Sequence, residues 1–241
     1  MQLPELRAQV LEANRQIAAR GLALHTFGNA SGIHRPADGS DPIVVIKPSG
    51  VAYETLTASD LVLTRLDGSR VEGTLRPSSD LDTHLELYRA FPQIGGIVHT
   101  HSTFATTWAQ AGKPIPCLGT THADYFHTAV PVTGYLTEDA VSSNYVLETG
   151  RLITDLFTHH SLDPVATPGV LVAGHAPFAW GANPADAVEH ADLLEFIARL
   201  AWQTAVLGLA GGHLPEYIAA HHHRRKHGPN ATYGQEPSAS V

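Results

Sequence analysis

Two segments constrain this chain more than any others: Gly95-Gly96-Ile97-Val98-His99-Thr100-His101 and Gly169-Val170-Leu171-Val172-Ala173-Gly174-His175. Each opens on glycine, runs through a short apolar stretch and ends on histidine. Runs of that length bounded by small residues read as buried strands. Side chains two apart on a strand share a face, so His99 and His101 present their imidazoles side by side. His175, ending a neighbouring strand, brings a third to the same place. The expectation is a sheet whose strand ends meet at a cluster of imidazoles.

The remaining pattern is mixed. Residues 4–20 carry Leu6, Val10, Leu11, Ala13 and Ile17 at helical spacing, and Thr26 to Gly32 reads as a short polar loop. Ile43 to Ile46 is a strand, and Leu61–Leu66 with Arg70–Glu72 forms a hairpin around Asp67-Gly68. Helices are expected over Asp80–Phe91 (capped by Ser78 or Ser79), Ser102–Ala111 and 139–160. Asn183-Pro184 opens the longest helix, an N-cap asparagine before a first-turn proline, with apolar spacing to about Leu209. Strands and helices do not alternate strictly. The pattern favours one α/β sandwich, a sheet between helix layers, spanning 1–241 with a tail from about residue 229. No GxGxxG or P-loop pattern occurs, which argues against a dinucleotide or NTP enzyme.

Composition narrows the partners. The net charge of −8 offers no basic footprint for nucleic acid, so an anionic substrate must be met by local dipoles and a few placed cations. The single cysteine, Cys117, precludes an internal disulfide and suits a reducing compartment. The amino-terminal stretch lacks a signal-peptide block and no run is long enough to span a bilayer, so a cytoplasmic protein with no membrane partner is expected. Sixteen histidines stand against Lys47, Lys113 and Lys226. Three neutral imidazoles suit Zn2+ or another first-row divalent ion such as Mn2+ or Co2+, with Asp80 able to add a hard oxygen. Spacing alone leaves this open, because an HxH pair is more often structural or incidental.

Longer motifs go further. Val45-Ile46-Lys47-Pro48-Ser49-Gly50-Val51, Arg76-Pro77-Ser78-Ser79-Asp80, Gly95 to Ser102 and Gly119-Thr120-Thr121-His122-Ala123-Asp124-Tyr125-Phe126 resemble the class II aldolase/epimerase superfamily, and within it the L-ribulose-5-phosphate 4-epimerases. Pro168 to Val172, His175 to Gly181, Arg225-Lys226-His227-Gly228 and Tyr233-Gly234-Gln235 continue the resemblance in order along almost the whole chain. It implies a mainly antiparallel central sheet. It implies Zn2+ held by Asp80, His99, His101 and His175, and phosphate recognition by Gly28, Asn29, Ser49, Gly50, Ser78 and Ser79. It implies Asp124 and Tyr233 as the acid/base pair, supported by Lys47 and His222. It also implies a pentulose-phosphate substrate from pentose and arabinose catabolism, and a homotetramer with active sites between subunits. Two stretches depart from the pattern: His127 after Phe126, and Gly134-Tyr135-Leu136, where more basic residues are expected.

The implied reaction explains the residue types. Inverting C4 of L-ribulose 5-phosphate cannot begin with simple deprotonation, since that hydrogen lies two carbons from the ketone. Retro-aldol cleavage of C3–C4 gives a dihydroxyacetone enediolate and glycolaldehyde phosphate; the aldehyde turns and the bond re-forms on its other face. A divalent ion stabilises the charge as a Lewis acid. Two proton carriers are needed on opposite sides of the C4 oxygen, hence Asp124 and Tyr233. Plain readings stand beside these. Gly28, Gly50 and the serines could be turn and cap residues, Lys47 a strand-end cation or a Schiff-base lysine, and His221 to His223 a solvated helix end from which only His222 is carried forward. The rivals are a class II aldolase acting on a related sugar phosphate, an epimerase of L-xylulose 5-phosphate, a three-histidine zinc hydrolase and a non-catalytic metal store. Asp80 favours the epimerase, because the aldolases tend to carry a glutamate base there.

Overall fold

The computed structural model describes residues 1–208 and 212–227. Its elements run α1 (Pro4–Ala19), β1 (Asn29–His34), β2 (Ile43–Ile46), β3 (Val62–Arg65), β4 (Arg70–Glu72), α2 (Leu81–Ala90), β5 (Gly96–His99), α3 (Thr103–Gln110), α4 (Thr120–Ala123), α5 (Glu138–His159), β6 (Gly169–Leu171), β7 (Pro177–Gly181), α6 (Pro184–Val206) and α7 (Glu216–His227). The strands form one sheet in the order β4-β3-β2-β1-β5-β7-β6, and every pairing is antiparallel. The α/β sandwich with an antiparallel sheet is the architecture the sequence implies. Among the described residues no helix is long and apolar enough to cross a membrane.

Strand alternation builds two unlike faces. Val44, Ile46, Ile97, Phe178 and Trp180 point one way, into a thick core with Leu85, Tyr88 and Phe91 of the α2 region and Ile153 and Phe157 of α5. The other face is made of small side chains: Ala30, Val98 and Ala179 pack on Ala13 and Ile17 of α1 and Ala187, Val188 and Ala191 of α6. Small residues let those helices lie close. At Gly32 a β-carbon would come within 2.8 Å of Leu6 Cδ1 and 2.9 Å of Pro184 Cγ, so α1 and the start of α6 leave no room for one.

That packing accounts for the largest departure from the sequence reading. Asn29 to Gly32, expected as loop, is the start of the central strand β1, hydrogen-bonded on both sides by β2 and β5. Asn, Ala, Ser and Gly have little strand propensity, and two flanking partners override it. The strand β7 was equally silent, while β6 stops at Leu171 instead of reaching His175. Helix α2 is also capped differently: Asp80, not Ser78 or Ser79, takes the N-cap position and makes no side-chain cap bond. By contrast, Asn183 caps α6 as expected, accepting from the Ala185 and Asp186 amides with Pro184 in the first turn. Helix α5 bends at Asn144 (φ −147°, ψ 84°).

Candidate active site

Three imidazoles converge at one end of the sheet. The ring centroids of His99, His101 and His175 are 5.0 Å apart in each pair, and one nitrogen from each lies within 4.8 Å of the others. His99 closes β5, but His101 lies past the strand end, and His175 sits in the turn from β6 to β7. The strand that carries this turn to β5 is β7, which pairs Phe178 with His99. The triangle thus comes from one strand end and one hairpin turn.

Its orientation is set from behind. His99 is buried, stacks on Phe178 at 4.2 Å and donates Nδ1–H to the Pro177 carbonyl at 2.9 Å. That bond leaves Nε2 free to face an ion, the usual arrangement for a metal-binding histidine. His175 Nδ1 is met by the Tyr145 hydroxyl at 3.4 Å, a neighbour the sequence did not suggest. Burial lowers the pKa of His101, and that of His175 to about 4, with the neighbouring histidines pushing the same way. Neutral imidazoles are the form a divalent ion requires.

The triangle opens onto a cavity of about 410 Å3. Three segments complete it: Thr26 to Gly28 before β1 with Asn29 opening that strand, Lys47 to Gly50 after β2, and Ser78 to Asp80 before α2. All six residues expected to hold phosphate therefore share one space with Lys47, Asp80 and the histidines. Gly28 has φ +81°, and a β-carbon there would sit 2.7 Å from the His99 carbonyl oxygen. Its role is to let the loop close over the end of β5, which a turn-former alone does not require. Lys47 is almost wholly buried, its ammonium 4.8 Å above the Tyr53 ring, and burial lowers its pKa.

Asp80 lines the cavity without joining the triangle. Its Oδ2 accepts from Asn29 Nδ2 at 2.7 Å and from Ser78 Oγ at 3.5 Å. Burial opposes its ionisation, yet His99, His84, the Asn29 amide and His175 outweigh burial and hold the carboxyl below its ordinary range.

A second polar cluster lies elsewhere. Asp124, at the end of α4, accepts from His222 Nδ1 at 2.9 Å and pairs with Arg225 at 3.4 Å, both from α7. Its backbone carbonyl faces His227 Nε2 at 2.7 Å. His127 stacks on His223 at 4.9 Å beside this cluster. Asp124 and His222 are brought together as a pair, but neither lines the histidine cavity. Tyr233 lies outside the described residues.

Comparison with known proteins decides the family. The model of the "Class II Aldolase and Adducin N-terminal domain" matches residues 8–202, most of the chain. This chain belongs to the class II aldolase and adducin domain family. Solved members show the same fold. An L-fuculose 1-phosphate aldolase superposes with a TM-score of 0.73 at 24% identity, covering 92% of this chain and 95% of its own. YgbL of Klebsiella pneumoniae, described as a putative aldolase/epimerase/decarboxylase, gives 0.69 at 23% identity, covering 92% and 99%. The L-fuculose-1-phosphate aldolase of Thermus thermophilus gives 0.63 at 25%, covering 87% and 98%. Within the class II aldolase fold, the three histidines form a cluster able to hold a divalent ion.

The buried histidines make a stability prediction. Burial brings the pKa of His84 down to about 3 and those of His122 and His175 to about 4. An unfolded histidine titrates near about 6.5. Between these values the unfolded chain binds more protons than the folded one, so stability is complete above about pH 6.5 and falls as pH drops toward 4. Urea midpoints of the metal-free protein should decline steadily from pH 7 to pH 4.5. A flat profile would contradict the burial of these rings.

Proposed function

We propose that this chain is a divalent-metal-dependent epimerase that interconverts L-ribulose 5-phosphate and D-xylulose 5-phosphate. One observation carries the reading: a histidine triangle, a buried lysine and three glycine- or serine-bearing segments line the same cavity. The donor set fits a divalent ion, with His99, His101 and His175 offering neutral nitrogens and Asp80 a nearby carboxylate. Bound there, the ion would supply Lewis acidity for negative charge developing on substrate oxygens.

The chain's own groups do the rest. Gly28, Asn29, Ser49, Gly50, Ser78 and Ser79 take the phosphate with backbone amides and short hydroxyl or amide side chains, which an acidic protein needs in place of a basic surface. Lys47 adds a cation at the cavity wall. Asp124 and Tyr233 carry the proton to and from the C4 oxygen from opposite sides, with His222 holding Asp124.

In one subunit the Asp124–His222 pair does not border the histidine cavity, and this supports a homo-oligomer, a tetramer in our reading, whose sites join the cavity of one copy to Asp124 of the next. The exposed apolar side of α6, with Phe196, Leu200, Trp202 and Val206, is surface suited to such a contact. The unit we propose runs from residue 1 to 241, the tail from about 229 bringing Tyr233.

A class II aldolase is the second reading, favoured by the similarity to two L-fuculose phosphate aldolases. Asp80 supports the epimerase instead. A short carboxylate held against Asn29 has little reach to act as a base at C3. A coupled assay of D-xylulose 5-phosphate formation separates the two. We expect turnover that a chelator removes and Zn2+, Mn2+ or Co2+ restores. Net accumulation of dihydroxyacetone and glycolaldehyde phosphate would make the protein a lyase, turnover of L-xylulose 5-phosphate alone would change the substrate, and chelator-insensitive activity would end the metal mechanism.

A further inference from the structure

One turn along α2 from Asp80 stands His84, with no solvent exposure. Its Nδ1 lies 2.7 Å from Ser31 Oγ on β1, and that oxygen lies 2.8 Å from the Tyr88 hydroxyl, another turn along α2. The ring is therefore pinned between helix and central strand. Its edge meets Phe178, the same ring that stacks on His99. The other nitrogen, Nε2, is buried with no hydrogen-bond partner among the described residues. Buried polar atoms left unpaired are uncommon, and here the atom belongs to a residue one helical turn from Asp80 whose ring edge meets the phenyl that stacks on His99.

The direction of the hydrogen bonds follows from what surrounds the ring. A neutral imidazole has one donor and one acceptor nitrogen. Asp80, four residues before His84 and on the same side of α2, is acceptor only when ionised. His84 and Asp80 interact electrostatically, and an ionised carboxylate repels a bare lone pair and attracts an N–H. The consistent arrangement has Tyr88 donating to Ser31, Ser31 donating to His84 Nδ1, and the proton on Nε2. Asn29 and Ser78 meanwhile both engage Asp80 through Oδ2.

We propose that His84 is a positioning residue for Asp80, its Nε2–H securing the carboxylate when Asp80 turns toward an ion held by His99, His101 and His175. The proposal rests on the metal-binding reading above. Ligating carboxylates need an outer partner to fix their direction. Asn29, which opens β1, divides its amide between Ser78 and Asp80 Oδ2, whereas His84 is tied to Ser31 through Nδ1 and its Nε2 has no other partner among the described residues. The Tyr88–Ser31 pair would then set the tautomer, and β1, which carries both Ser31 and Asn29, would set the reach of Asp80.

The test is Co2+ affinity and visible absorption of the full-length, metal-stripped protein, measured against a competing chelator. His84→Phe keeps a buried ring and loses the donor; it should weaken Co2+ binding about tenfold or more and alter the absorption band. His84→Gln, which keeps an N–H, should recover part of the affinity. In an Asp80→Asn background His84→Phe should add little, because the two act as one unit. Unchanged affinity in folded His84→Phe protein, or a loss that adds in full to that of Asp80→Asn, overturns the role. If His84→Phe does not fold, Ser31→Ala and Tyr88→Phe decide it: weaker Co2+ binding in both supports the relay, and wild-type affinity in both overturns it. A wild-type protein that binds no Co2+ overturns the metal reading as well, whereas normal wild-type binding with unaffected variants removes only the role of His84.

Discussion

His101→Ala should lower turnover by about a thousandfold while leaving the metal-free fold as stable as the wild type. His101 is exposed and lies beyond the end of β5, so its removal opens no core cavity. Surface substitutions of that kind usually shift stability by less than about 0.5 kcal/mol. Yet it contributes one corner of a triangle whose sides are all 5.0 Å, and two imidazoles with an offset carboxylate hold an ion poorly. An ion supplies several kcal/mol to a charged transition state, and about 4 kcal/mol corresponds to about a thousandfold in rate. The metal itself gives a second readout. At a hundred times its Kd an ion stabilises the folded chain by about 2.7 kcal/mol, so Zn2+ should raise the melting temperature of the wild type and not that of His101→Ala. His221→Ala, on the exposed side of α7, is the control and should keep both. Turnover of His101→Ala within tenfold of the wild type would remove the triangle from the mechanism.

Asp124→Asn tests the other half of the proposed site. The amide keeps an oxygen for His222 and Arg225 but cannot accept a proton, so kcat should fall by about a hundred- to ten-thousandfold, the range of general acid–base catalysis. Divalent-ion affinity should stay unchanged, because Asp124 does not line the histidine cavity. The sharper measurement mixes subunits. If each site joins one copy's histidines to the next copy's Asp124, co-refolding Asp124→Asn with His101→Ala assembles some sites from two intact halves. With random mixing in a closed ring about a quarter of the sites recover. No recovery from two separately inactive variants would show that each chain builds its site alone.

How much of this was legible in the chain depends on where each residue's information is held. Asn183-Pro184 marked its helix correctly because capping is local: the side chain bonds amides two and three residues away. The Asp67-Gly68 hairpin was equally readable, with Gly68 at φ +85° closing a turn between adjacent strands. β1 was not, since its polar and small residues become a strand only between β2 and β5 and under α1 and α6. The cap of α2 misled for a related reason. Ser78 turns its hydroxyl toward Asn29, 49 residues away, leaving the N-cap position to Asp80. Tyr145 and His84 gave no signal beyond, for His84, its four-residue spacing from Asp80.

The sequence by itself determined the three imidazoles, the same-side spacing of His99 and His101, and the family, because residue identity and short spacings decide what chemistry is possible. Only the tertiary structure decided that the third histidine arrives on the turn before β7, that Asp80 faces Asn29 instead of completing the triangle, and that Asp124 stands apart from the cavity. Those are facts of register and helix packing, and they arise from contacts between residues tens of positions apart, where no local pattern carries them.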